Sequence, residues 1–480
     1  VEVGSTVVDV LRHLADRRHE ERAFTVDGHG SSTWSSLESD VRTVSGGLRR
    51  SGAQRGDVVA LNLPLGVELI AAIFAVQWIG AVPLVLDPAM PASTVERRLV
   101  EAGCGRVVDS LANLRTSPGN PQADPVATPD DIAYLQPTSG STGEPRMAAI
   151  SHRSLLAQLR GLRAVFGDDH VFVGWMPLFH DMGLVGSVFL PAYLGCPSYL
   201  LRPTLANLGR WLGTIAEVGG TFTASTDFGY RVAAKLARTS SDLSTLRVAV
   251  NGGEPVRQTT ITAFENRFRL GQVTCPAYGL AEAVCAVTVA LPGQERRIDA
   301  EGRISCGPAI PGVEVGVRVG GEIWVRGETV FRGYWGHDAE TAGVLVDGWL
   351  RTGDVGALDD GGHLYVSGRT RAMIKRAGAL IPARAVEEVV DALEGVRRSA
   401  AVGVPTSAAS EALVVVVEAR TAGSDATTIE RATVQAVRGA LGFLPSQVLV
   451  VRGGTIPLTA NGKIRYGRLR EAIEAGGLDS

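Results

Sequence analysis

Lysine is almost missing from this chain. Of 47 basic residues among 480, only Lys235, Lys375 and Lys463 are lysine, and the other 44 are arginine. Such a bias fits coding composition, under which most surface positions accept arginine. A lysine that survives is there by chance, or because its site wants a compact ammonium on a flexible stem rather than a planar fork. A basic excess is missing too. The 47 Lys plus Arg face 50 Asp plus Glu, leaving a net charge of −3, which argues against a general nucleic-acid binder. The five cysteines, Cys104, Cys196, Cys275, Cys285 and Cys306, form no CxxC pair. Neither a disulfide framework nor a zinc site is expected, and a reducing cytoplasmic setting suits them. The opening VEVGSTVVDVLRHLADRR has no basic flank followed by an apolar core, so no signal peptide is expected there. An uninterrupted membrane-length run is also lacking. Residues 67–88 come nearest, but Glu68 and Gln77 interrupt them, and Gly80 and Pro83 divide them into a helix and a short strand. The pair reads as buried α/β core, with no membrane span. There is no internal repeat, heptad pattern or long low-complexity tract.

What is present is an alternation. Strand-like runs (DVVALNL, VPLVLD, DIAYLQP, HVFVGWMPL, CPSYLL, GTFTAS, LRVAVNGG) take turns with helical patterns such as STVERRLVEAG and SHRSLLAQLRGLRAVFG. Strands alternating with helices imply parallel-rich sheets covered by helices. Beyond Gly312 the pattern turns to short strands, VEVGVRV, GGEIWVRG and GHLYVSG, which predict a small β-rich subdomain. After Arg369 the tail offers helices and strands enough for a separate α+β domain. The expected fold class is α/β, with a large N-terminal domain over 1–369 and a small C-terminal domain over 370–480.

The strongest local signal is Thr138-Ser139-Gly140-Ser141-Thr142-Gly143-Glu144-Pro145-Arg146, directly after DIAYLQP. Glycines let the backbone turn tightly and expose successive N–H groups, and hydroxyls add donors, which makes a cradle for phosphate oxygens. It is not a Walker A loop, because GxxxxGK[ST] is absent. Alone, such a stretch is more often a plain turn.

Its company changes the reading. Downstream stand Trp175-Met176-Pro177-Leu178-Phe179-His180-Asp181-Met182-Gly183, Asn251-Gly252-Gly253-Glu254-Pro255 and Tyr278-Gly279-Leu280-Ala281-Glu282. Arg351-Thr352-Gly353-Asp354, Ser367-Gly368-Arg369 and Pro457-Leu458-Thr459-Ala460-Asn461-Gly462-Lys463 follow. In this order the set resembles the acyl-adenylate-forming superfamily, which holds acyl-CoA synthetases, fatty acyl-AMP ligases, peptide-synthetase adenylation domains and luciferases. The stretches PLFHDMGL, NGGEPVR and ISCGPAIPG look most like the fatty acyl-AMP ligase branch. The resemblance implies a two-step reaction. A carboxylate attacks the α-phosphate of ATP to give acyl-AMP and pyrophosphate, and a thiol then attacks the acyl carbonyl. It also implies a mobile C-terminal domain that rotates between the steps.

Position by position, the resemblance implies that Thr138, Ser139 and the loop through Gly143 grip the β- and γ-phosphates. It makes Glu282, together with Thr138, the Mg²⁺-binding position, where a hard carboxylate oxygen suits a cation bridging phosphates. Tyr278 would face adenine, with Gly253, Glu254 and Pro255 opposite and Gly279, Leu280 and Ala281 beside it. Asp354 would accept from the ribose hydroxyls, with Arg369 alongside. His180 would lie near the acyl carboxylate. Lys463 would reach the carboxylate and α-phosphate, offsetting the charge that develops during adenylation. Taken singly, Glu282 reads as a solvated helix-start carboxylate, Tyr278 as core, His180 as a loop histidine, and Asp354 with Arg369 as a surface ion pair. The conjunction is what carries the assignment. Lys235, in the helical pattern YRVAAKLAR, reads as solvated.

Four departures from the family pattern matter. The phosphate loop ends Pro145-Arg146 rather than Pro-Lys. The hinge reads Gly368-Arg369-Thr370-Arg371-Ala372, with Ala372 where an Asp or Lys is usual. The segment Gly378-Ala379-Leu380-Ile381-Pro382 lacks the common Asn and has its Pro displaced. Finally, only 22 residues separate Glu282 from Ser305, so the long insertion by which fatty acyl-AMP ligases restrain their C-terminal domain is expected to be absent. A domain free to rotate favours thioester formation on CoA, and Lys375, just past the hinge, would support that second conformation. The expectation is an acyl-CoA ligase for a bulky or long-chain apolar acid, in specialised metabolism. The alternatives are a ligase that only thioesterifies an acyl-AMP supplied by an upstream adenylating enzyme, and a non-catalytic nucleotide-binding module. A carrier protein acting in trans is a further possible acceptor.

Overall fold

A computed structural model describes residues 4–116, 124–138, 146–236, 241–370, 373–376, 379–406, 411–420, 425–458 and 464–478. The apolar runs become strands because parallel strands are covered on both faces and need no polar side. Val58–Leu61 and Val82–Val85 are buried at every position and pair in parallel, with Arg106–Val108 on the other flank. The helix between them, Val67–Trp78, is buried nearly all round, which is what a helix without a polar face must be. Gly80 then turns with φ 71° into the next strand. Among the described residues no helix is long and apolar enough to cross a membrane.

The largest sheet has eight strands. Its centre is Thr274–Tyr278, Val248–Asn251, Phe222–Ser225, Phe172–Gly174 and Ser198–Leu200, paired in parallel. In such sheets ligands gather at the carboxyl ends of the strands. The motifs lie there: Tyr278 ends one strand, Asn251 another, and Trp175 follows a third.

One strand departs from the expectation. Ile132–Pro137 does not join a parallel sheet but forms an antiparallel hairpin with Met147–Ser151, whose outer edge takes Gly333–Tyr334. The two strands are tied at their ends by Thr138 N–H donating to the Arg146 carbonyl at 2.7 Å. The β-rich part is an antiparallel sheet of Val313–Val317, Glu322–Gly327, Trp349–Leu358 and Leu345–Val346, with Leu364–Arg369 paired to Trp349–Leu358. Beyond it, Val396–Pro405, Glu411–Ala419 and Gln447–Val451 make a three-stranded sheet with cores of their own around Val386, Val415 and Leu469.

Candidate active site

The site is built by sheet register. In the β-rich part Asp354 is the cross-strand partner of Arg369, so the two side chains meet, with Arg369 Nε 3.1 Å from Asp354 Oδ1. Tyr278, at the end of its parallel strand, donates its hydroxyl to Asp354 Oδ2 at 2.7 Å. Burial pushes the Tyr278 phenol far above its ordinary range, and the Asp354 charge adds to this. The group is therefore a neutral donor at any working pH. Arg369 is held firmly charged by Asp354, although its side chain is 53% exposed.

Glu282 is near enough to feel the charges of this group. Arg369 and Asp354 both act on it electrostatically, while burial raises its carboxyl and a hydrogen bond from Tyr334 lowers it. Tyr334 OH donates to Glu282 Oε1 at 2.8 Å. The Tyr334 ring carries the Arg146 guanidinium, 5.3 Å from its centroid. Glu340 stands on the far side of Arg146 at 4.0 Å. Two groups of contacts thus form, Arg146 with Tyr334 and Glu282 on one side and Arg369 with Asp354 and Tyr278 on the other, and the Arg369 charge acts on Glu282 between them.

The loop between Tyr278 and Glu282 is tightly constrained. A Cβ on Gly279 would lie 1.6 Å from the Cys285 carbonyl oxygen, so no other residue fits there. Leu280 precedes the single 3₁₀ turn Ala281–Ala283 that presents Glu282. Cys285 N–H then donates to the Ala283 carbonyl at 2.8 Å, around Val284 at φ 68° and ψ −62°. This is the strained form of γ-turn, rare for any residue and more so for a β-branched one.

His180 lies on the adjoining loop. Its Nδ1 is 2.6 Å from Asp181 Oδ1 and accepts from the Met182 backbone N–H at 3.3 Å, so the ring caps the start of the short helix Asp181–Leu184. Gln136, two residues before Thr138, donates to the Phe179 carbonyl at 3.0 Å, tying this loop to the hairpin. Gly253 adopts φ 75°, and a Cβ there would meet Met182 Cε at 3.2 Å, so the Gly253–Pro255 turn faces the His180 loop. The Glu254 carboxylate accepts from the Phe228 backbone N–H.

Of the residues singled out from sequence, Thr138, His180, Gly253, Glu254, Pro255, Tyr278, Gly279, Leu280, Ala281, Glu282, Asp354 and Arg369 lie along these connected loops. Ser139, Gly140, Ser141, Thr142, Gly143 and Lys463 fall outside the described residues. Lys375 is in the strand Met373–Arg376, with its backbone N–H donating to Glu411 Oε2 at 2.7 Å. Tyr334 was not legible as a site residue. Its only sequence mark is the aromatic pair Tyr334-Trp335 after a glycine, in a two-residue strand too short to show a period.

Among the described residues no group of three or more His, Cys, Asp or Glu converges as a metal cage. The Glu282 carboxylate offers the kind of oxygen that suits a hard cation held by one or two carboxylates together with substrate phosphates.

Known proteins resemble this chain over nearly its whole length. The AMP-binding enzyme family matches residues 11–335, and the AMP-binding enzyme C-terminal domain matches 385–463. The chain is 28% identical over 580 aligned positions to the long-chain-fatty-acid–AMP ligase FadD26 of Mycobacterium marinum, covering 99% of this chain and 98% of that one. It is 27% identical over 572 positions to the medium-chain-fatty-acid–[acyl-carrier-protein] ligase JamA of Moorena producens, covering 99% and 96%. A solved structure from a study of fatty acyl-adenylate ligases of E. coli and L. pneumophila superposes with a TM-score of 0.87 at 24% identity, over 98% of both chains. The chain belongs to the AMP-binding enzyme family, and it stands in the fatty acyl-AMP ligase and acyl-CoA synthetase branch of the superfamily as an acyl-adenylate-forming ligase.

Proposed function

We propose that this ligase converts a bulky or long-chain apolar carboxylic acid into its CoA thioester through an acyl-AMP. The observation that supports the reading is the pair of contact groups, Arg146–Tyr334–Glu282 and Arg369–Asp354–Tyr278, whose cationic, carboxylate and phenolic groups suit the phosphate and nucleoside ends of one nucleotide. In the first step the carboxylate oxygen attacks the α-phosphorus and pyrophosphate leaves. Arg146 and the 138–143 loop bind the departing phosphates, Asp354 holds the ribose hydroxyls, and Tyr278 lines the adenine. Lys463 brings positive charge to the carboxylate and α-phosphate. When bound, Mg²⁺ neutralises phosphate charge, with Glu282 and Thr138 as its protein ligands. In the second step the thiolate attacks the acyl carbonyl and AMP leaves. For this step the domain beyond residue 369 rotates and presents Lys375.

Two features support CoA as acceptor. The 22 residues between Glu282 and Ser305 leave no room for a restraining insertion. The relative from M. marinum aligns over 580 positions, so at least 100 of them face gaps in a chain of 480 residues. A second reading, in which a carrier protein takes the acyl group, is favoured by the carrier-protein specificity in the name of the M. producens relative. The five free thiols suit the reducing cytoplasm where ATP and CoA are found.

The test is a panel of carboxylic acids with ATP and Mg²⁺, scored for pyrophosphate release. CoA or a phosphopantetheinylated carrier is then added, and the thioester is identified by mass spectrometry. Pyrophosphate release followed by acyl-CoA formation is expected. Acyl transfer to the carrier alone would replace CoA by the carrier. Thioester formation only from preformed acyl-AMP would leave the chain as a thioesterifying enzyme dependent on an upstream adenylating partner.

A further inference from the structure

Tyr334 lies at a junction that the reaction as proposed leaves unexplained. It is in the two-residue strand Gly333–Tyr334, opposite Ala148 and hence beside the end of the phosphate hairpin. Its backbone N–H donates to Thr341 Oγ1 at 2.8 Å. Its ring meets Phe331 edge to face, with centroids 5.0 Å apart. The side chain is therefore fixed from two directions before it touches the site. From that fixed position the hydroxyl takes Glu282 Oε1 at 2.8 Å, and one ring face carries the Arg146 guanidinium. The same segment also holds the Glu282 backbone, through Phe331 N–H donating to the Glu282 carbonyl at 2.9 Å.

We propose that Tyr334 is a positioning residue for the phosphate end of the site, fixing the Glu282 carboxylate by its hydroxyl and the Arg146 guanidinium by its ring. The two groups differ in charge and come from separate parts of the chain. A single rigid phenol sets the distance between them. Partners that orient a metal-binding carboxylate typically govern metal affinity by tenfold or more. The ring also accounts for arginine at 146: a planar guanidinium stacks on an aromatic face where an ammonium would sit as a solvated point charge. This inference rests on Glu282 being the carboxylate that serves Mg²⁺.

The test compares wild type with Tyr334→Phe, which keeps the ring and removes the hydroxyl, and with Arg146→Lys. Binding of ATP is measured by calorimetry across a Mg²⁺ titration, and binding of AMP without metal is measured beside it. Thioester formation from preformed acyl-AMP is followed separately, since it involves neither pyrophosphate nor its cation. Tyr334→Phe is expected to raise the Mg²⁺ concentration for half-maximal ATP binding about tenfold, with AMP binding and melting temperature unchanged. Arg146→Lys is expected to weaken ATP binding several-fold at every Mg²⁺ concentration. An unchanged Mg²⁺ requirement in Tyr334→Phe would overturn the proposal. So would an equal loss of AMP and Mg²⁺-ATP binding, because that is what a merely structural tyrosine gives. Failure of the proposed ligase activity would show separately, as wild type that binds Mg²⁺-ATP but makes no thioester.

Discussion

Tyr278 and Asp354, 76 residues apart in sequence, share a hydrogen bond of 2.7 Å. This bond joins the end of the large parallel sheet to the β-rich subdomain. Asp354 also takes Arg369, so the carboxylate is already oriented for the ribose hydroxyls that we propose it holds. Asp354→Asn keeps the shape and loses the charge. A hydrogen bond to a charged group contributes about 1.5–3 kcal/mol, so AMP affinity is expected to fall by roughly ten- to a hundredfold. Calorimetry with AMP reads this directly. Tyr278→Phe is expected to cost less, because Arg369 still holds the carboxylate. Equal losses in the two variants would mean that the tyrosine, not the charge, organises the ribose end.

The two lysines are expected to separate the half-reactions. Lys463→Ala should lower pyrophosphate release by two orders of magnitude or more, as loss of a preorganised charge does. It should leave thioester formation from preformed acyl-AMP nearly intact. Lys375→Ala should do the reverse. Stopped assays of each half-reaction decide it, and a common loss of both steps in both variants would dissolve the assignment.

Two buried groups are expected to oppose each other in pH. The His152 imidazole is buried at the start of the helix His152–Phe166, and its pKa is pushed down to about 4 from 6.5. The unfolded chain binds the proton more readily, so this region gains stability as pH rises from about 4 to 6.5. Glu387, buried in the C-terminal part, is pushed up to about 7 from 4.5. It accepts from Tyr466 OH at 3.0 Å on each oxygen and from Ala401 N–H. There the folded state holds the proton more tightly, so stability falls as pH rises from about 4.5 to 7. Each effect is on the order of 3 kcal/mol at full extent. Hydrogen exchange corrected for intrinsic rates should show the two regions moving in opposite directions. Glu387→Gln should flatten the second trend and leave the first alone.

Gly279→Ala is expected to be severe. The added carbon would meet a backbone carbonyl at 1.6 Å, and backbone cannot yield as a flexible side chain would. A loss of ~3 kcal/mol or more is expected, read as a lowered melting temperature with ATP binding abolished. Gly28→Ala, where a Cβ would meet nothing within 4 Å but φ is 70°, should cost only ~1 kcal/mol.

The parallel strands were legible because complete burial forces continuous apolar runs, as in Val58–Leu61 and Val82–Val85. The strand Met147–Ser151 was not. Its MAAIS sequence is buried throughout yet alanine-rich, so neither alternation nor β-branched bulk marks it. Missing it also misplaced Ile132–Pro137 in a parallel sheet. The paired strands Met373–Arg376 and Ala379–Pro382 were passed over because MIKR is half charged and ALIP ends in proline, so neither offers the apolar run or the alternation that marks a strand. The family resemblance puts Arg369 beside Asp354, but the register that makes them cross-strand partners is encoded by no local pattern. Tyr334 was invisible for the same reason: its importance lies in two partners, 52 and 188 residues away, that only folding brings together.

The γ-turn at Val284 and the close approach at Gly279 are two ends of a single interlock. The carbonyl of Cys285 occupies the volume a side chain at 279 would need, and it is the turn at 284 that aims it there. Neither end can relax alone. Evolutionary drift in this loop should therefore be paired: homologues that admit a side chain at the first position must also have abandoned the twisted valine at the second. Lineages keeping one without the other would show that the interlock can be undone piecemeal.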